Sequence, residues 1–60
     1  MENIYIIQYR YTDNSSYRYK TFDKLVDATD YYLFLKNNLD LSYLILKKCS
    51  IVNEVWICGN

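Results

Sequence analysis

The chain has 60 residues, with seven basic and seven acidic side chains and no histidine, so its formal net charge is zero. That balance argues against a general polyanion binder and equally against an acidic nucleic-acid mimic. A chain this short makes one domain, residues 1–60, and needs a disulfide, a metal or oligomerisation to be robust.

Residues 3–11, NIYIIQYRY, read as a strand, because β-branched and aromatic residues dominate without a helical period. Thr12 to Ser16 is a cluster of turn residues. Residues 17–22, YRYKTF, then return as the second strand of a hairpin, with Tyr17, Tyr19 and Thr21 on one side and Arg18, Lys20 and Phe22 on the other. If the turn keeps the strands in phase, Tyr5, Ile7, Tyr9, Tyr11, Tyr17 and Tyr19 share a face, and Ile4, Ile6 and Phe22 share the opposite one.

Residues 23–39, DKLVDATDYYLFLKNNL, are the one stretch with a clear helical period. At roughly 100° per residue, Leu25, Ala28, Thr29, Tyr32, Leu35 and Leu39 form one stripe, flanked by Val26 and Leu33. Asp23 is the expected N-cap, Asp27 and Asp30 complement the positive end of the dipole, and Asn37-Asn38 offers a stop. Tyr31 and Phe34 lie off the stripe and form a candidate contact patch.

Residues 40–42 are a short connection and residues 43–49, YLILKKC, a third strand. After a loop at 50–53, residues 54–58, EVWIC, form a fourth. Pairing Lys48 with Glu54 sets Leu46 opposite Trp56. The expected fold is therefore α+β, in the order β-β-α-β-β: a four-stranded, mostly antiparallel sheet with one helix on one face. Both sheet faces carry apolar and aromatic side chains, while one helix covers only one. Such a sheet calls for a partner.

Catalytic equipment is not visible: there is no histidine, no glycine-rich phosphate loop, no nucleophile elbow and no CxxC, so an enzyme is not expected. No cofactor or metal is expected either, since Cys49 and Cys58 alone cannot furnish a zinc site. With no secretory signal, the two cysteines are expected as reduced, half-buried thiols in a cytoplasmic protein. On the same ground the Asn14-Ser15-Ser16 sequon reads as a chance match. No apolar run approaches the length of a membrane span.

Tyr9-Arg10-Tyr11 and Tyr17-Arg18-Tyr19-Lys20 interleave aromatic and basic residues, as single-strand readers do. Strict alternation, however, would set Arg10, Arg18 and Lys20 on the face opposite the tyrosines, which suits protein contact better than base stacking. The candidate partner and dimer residues are Tyr9, Tyr11, Tyr17, Tyr19, Tyr31, Phe34, Leu46 and Trp56. The open sheet face with Leu46, Trp56 and the tyrosine row is the favoured homodimer contact, with a host protein as a further partner and nucleic acid not expected.

Asn, Ile, Lys, Tyr and Phe supply 27 of the 60 residues, as in AT-rich genomes of low-GC bacteria and their phages. With its opening Met-Glu-Asn-Ile-Tyr-Ile-Ile-Gln-Tyr and the Tyr-Lys-Thr-Phe-Asp that leads into the helix, the chain resembles the short accessory proteins of such phages. Some of these are anti-defence proteins, the small inhibitor of the Hachiman system among them. The resemblance spans the general plan of the whole chain and brings no functional residues with it. It implies an inhibitor that acts by occupying a host protein; the alternative is a small nucleic-acid-binding or regulatory protein using the first hairpin.

Overall fold

A computed structural model describes residues 2–13 and 16–59. Strands β1 (Glu2–Tyr11) and β2 (Arg18–Phe22) precede helix α1 (Leu25–Asn38), and β3 (Leu41–Val52) and β4 (Val55–Gly59) follow it. All three strand pairings are antiparallel and the strand order is β2-β1-β3-β4, so the α+β plan read from the sequence holds. Two layers suffice to describe it, in a slab of 38 × 23 × 15 Å. Asn14 and Ser15 of the expected turn, and with them the sequon, lie outside the described residues.

The core forms where α1 lies on β1. Ile7, Tyr9, Ala28 and Leu35 are its buried members, and Tyr5, Tyr11, Phe22, Tyr31, Tyr32, Leu39, Leu41, Leu44 and Leu46 pack around them. Ala28, with no side chain beyond its methyl, lets the helix approach the sheet, and Leu35 repeats the contact two turns on. Leu41 joins the even-numbered Leu44 and Leu46 through a bulge. Arg10 pairs with Tyr43 but Tyr11 with Leu41, which leaves Ser42 as the extra residue. Thr12 N–H donates to the Asp40 carbonyl at 3.1 Å and ties the end of β1 to the start of β3.

The helix begins two residues later than its sequence suggests. Lys24 is the N-cap, with extended φ −125° and ψ 136°, and no side chain caps the first turn, so Asp23 does not take that role. Asp27 does lie in the first turn. At the other end no left-handed residue is used: Leu39 is extended, with φ −124° and ψ 149°, and its N–H donates to the Leu35 carbonyl. Asn38 contributes through its side chain, whose Nδ2 donates to the Phe34 carbonyl at 2.9 Å.

The second hairpin departs furthest from expectation. β3 runs to Val52, through the stretch expected as a loop, and Asn53-Glu54 forms the whole turn, with φ of 51° and 65°. Both central residues are left-handed, which is the type I′ geometry that matches strand twist. Trp56 therefore faces Ile51, and Lys48 faces Gly59, not Glu54. Cys49 falls directly opposite Cys58, and the two form a disulfide across a sequence separation of 9, which corrects the expectation of free thiols.

Candidate functional site: the uncovered face of the sheet

Side chains alternate along a strand, so the register decides which residues face the helix and which face away. In the first hairpin Tyr9 pairs with Arg18 and Tyr5 with Phe22, which puts odd positions of β1 beside even positions of β2. The tyrosine row is thereby split. Tyr9 and Tyr11 go under the helix, with ring centroids 5.9 Å apart in an edge contact. Tyr19 goes to the other face with Ile6 and Gln8, while Phe22 packs in the core with Tyr5, Tyr9 and Tyr11 and not with Ile4 and Ile6 as expected.

The same register redistributes the basic residues. Arg18 and Lys20 lie on the helix side, where the Arg18 guanidinium stands 5.2 Å from the Tyr11 ring and the Lys20 ammonium 6.0 Å from the Tyr31 ring. Arg10 lies on the uncovered side, 5.4 Å from the Tyr17 ring. Aromatic and basic groups thus share both faces, contrary to the segregation expected from alternation alone.

The uncovered face has three zones. At the first-hairpin end, Arg10 Nε donates to Ser42 Oγ at 2.9 Å, and Tyr17 meets Tyr43 edge-on at 5.3 Å. Beside them Gln8 Nε2 donates to the Tyr19 hydroxyl at 3.2 Å, which pins an otherwise exposed ring. The middle belongs to the central strands and is aliphatic: Ile4 and Ile6 of β1 lie beside Ile45 and Ile51 of β3, with Lys47 among them. At the far end stand Trp56, 49 % exposed, and the disulfide, whose Cys49 is fully buried.

The remaining candidates fall elsewhere. Leu46 is on the helix side, packed against the core, and shares no face with Trp56. Tyr31 is half-buried, wedged against Phe22 at a centroid distance of 5.5 Å, and it stacks on the more exposed Phe34 at 6.2 Å. A hydrogen bond to Tyr31, aided by burial, holds the Tyr9 hydroxyl pKa above its ordinary value. These groups build the helix side. Of the eight proposed contact residues, only Tyr17, Tyr19 and Trp56 belong to the uncovered face.

Comparison with protein-family models, curated proteins and solved structures finds no match. The site therefore stands on its own geometry. Sequence reasoning had placed Ile4 and Ile6 together but missed their union with Ile45, Ile51 and Tyr43, which needed the register of β1 against β3. One signal could have fixed the second hairpin: Cys49 and Cys58 stand equidistant from the Asn53-Glu54 pair. No helix among the described residues is long and apolar enough to cross a membrane.

Proposed function

We propose that this chain is a non-enzymatic protein-binding module, working as a homodimer, that presents the uncovered face of its sheet to a partner. The observation that supports this most is the aliphatic middle of that face. Ile4, Ile6, Ile45 and Ile51 come from the two central strands, and no second layer of the described residues lies above them. These isoleucines surround one lysine, Lys47, and are bordered by Arg10, Gln8 and Tyr19, a mostly apolar centre with a polar rim as in protein contacts. In the setting that the phage resemblance implies, the partner is a bacterial anti-phage defence protein, inhibited in the host cytoplasm by simple occupation. Disulfides are rare in that compartment, so the redox state of Cys49 and Cys58 inside cells bears on the location directly.

A nucleic-acid reading gains one argument from the fold, because Arg10 and Lys47 share a face with Tyr17, Tyr19 and Tyr43. It is the weaker reading. The central positions that would stack bases hold isoleucines, and a chain of zero net charge gives little general attraction to phosphate.

The two separate in one experiment. Tagged protein is incubated with lysate of a low-GC bacterial host, with and without nuclease, beside a variant carrying Ile6→Glu and Ile45→Glu. A protein retained by the wild type in both lysates and lost by the variant supports the protein-binding reading. Retention that vanishes with nuclease, or that ignores the variant, contradicts it.

A further inference from the structure

Strand β4 is where the fold leaves the most unsatisfied. Helix α1 packs on β1, β2 and β3 and does not reach β4. As a result Val55 and Ile57, on the helix side of the sheet, are 58 % and 59 % exposed, and all of β4 is exposed. It is also an edge strand, with no charged residue between Val55 and Gly59. The opposite edge is guarded: β2 carries Arg18 and Lys20, the charged side chains that commonly keep an edge from pairing.

The hydrogen-bonding pattern shows which groups the edge offers. In a two-residue hairpin the closing pair, Val52 and Val55, exchanges both backbone bonds, and bonded and unbonded pairs alternate from there. Ile51–Trp56 and Cys49–Cys58 are then the unbonded pairs. The 4.0 Å Cα separation of Cys49 and Cys58 agrees, since unbonded pairs are the closer ones. Trp56 and Cys58 accordingly direct their N–H and C=O groups outward, away from β3.

We infer that a second copy of this chain covers this edge, β4 against β4, antiparallel about a two-fold axis at Ile57. The inference rests on the homodimer reading above and moves the dimer contact from the sheet face to the sheet edge. Outward-directed residues can bond only to outward-directed residues, so Trp56 and Cys58 must find Trp56 or Cys58 of the second copy. The register that engages the whole strand pairs Trp56 with Cys58 of the second copy, Ile57 with its own counterpart, and Val55 with Gly59. Such self-complementarity is what a two-fold dimer requires. On the helix side, Val55 and Ile57 of both copies would cover one another. On the other side each Trp56 would lie beside the other copy's disulfide. The Glu54 carboxylates fall at opposite ends of the seam. The same operation on β2 would crowd Arg18 and Lys20 of both copies together, where like charges oppose pairing. The result is one continuous eight-stranded sheet, with the uncovered face still free for the other partner.

The test is sedimentation equilibrium on the wild type, Ile57→Lys, Ile57→Glu and an equimolar mixture of the two variants, with Ile45→Lys as the sheet-face control. A short seam is at the small end of specific interfaces, so a wild-type dimer with Kd on the order of micromolar is expected. Each Ile57 variant should weaken it by roughly tenfold or more, through like charges on the axis, and the mixture should recover a heterodimer. Ile45→Lys should remain dimeric. Amide exchange on the wild type needs no substitution: Trp56 and Cys58 should be protected in concentrated and not in dilute protein. A wild-type dimer indifferent to Ile57 variants, or lost in Ile45→Lys, overturns the edge and leaves the homodimer standing. A wild type that stays monomeric at about 100 µM overturns both. A monomer whose capture of a foreign protein is blocked by Ile57→Lys assigns the edge to that protein and overturns the second copy.

Discussion

Reduction of the Cys49–Cys58 bond should loosen β4 before it unfolds anything else. The strand has no helix above it, its residues are exposed on both faces, and its ties are the ladder to β3 and the disulfide. The bond closes a loop with a sequence separation of 9, for which chain-entropy reasoning gives roughly 2.5 to 3 kcal/mol. In a domain of this size that corresponds to a fall in Tm of about 10–20 °C if the whole fold unfolds as one unit. Because α1 rests on β1, β2 and β3, the loss should fall first on β4 as local opening, leaving the helical signal intact. The assay is thermal melting by circular dichroism with and without a phosphine reductant, together with amide exchange. Cys58→Ser serves as the covalent control, since it places the hydroxyl at an exposed position and keeps Cys49 buried as a thiol. An unchanged Tm together with undiminished protection of β4 after reduction would refute the reasoning.

Three further outcomes follow from particular contacts. Ile7→Ala removes a fully buried side chain from beneath α1 and should cost about 2–5 kcal/mol by chemical denaturation, whereas Val55→Ala, at 58 % exposure, should cost well under half of that. Glu54→Gly relieves a left-handed non-glycine residue at φ 65° and should raise stability by roughly 1 kcal/mol, read as a higher urea midpoint at unchanged slope. The Tyr9 pKa is raised in the folded state, so its contribution is complete below the ordinary tyrosine value of about 10 and is lost as pH climbs from there through the folded value. Alkaline melting should therefore fall less steeply above about pH 10 in Tyr9→Phe than in the wild type.

The element order was legible because each segment carries its own period. Residues 3–11 are too rich in β-branched and aromatic side chains to be anything but a strand, and Ala28 and Leu35 mark the helical stripe. Register was not legible, and register decides the site. A slip by one residue in the first hairpin exchanges faces, so Tyr9 and Tyr11 parted from Tyr17 and Tyr19 and went under the helix beside Arg18 and Lys20. In the second hairpin, a turn made of Asn53 and Glu54 without glycine gave no strong local signal, and the lost turn hid the disulfide. The Lys24 cap was hidden for a similar reason: Asp23 is the better capping side chain, but the helical backbone begins two positions past it, which leaves the cap to Lys24. Tertiary packing outranked local chemistry there.

The most direct test of the central claim is photo-crosslinking in cells. A photoreactive phenylalanine replaces Tyr19, on the uncovered face and 64 % exposed, or Phe34, on the outer side of α1 and 53 % exposed. If the uncovered face is the protein-binding surface, position 19 yields a discrete, nuclease-resistant protein adduct and position 34 does not. An adduct at position 34 alone, or one at position 19 that nuclease removes, would contradict it.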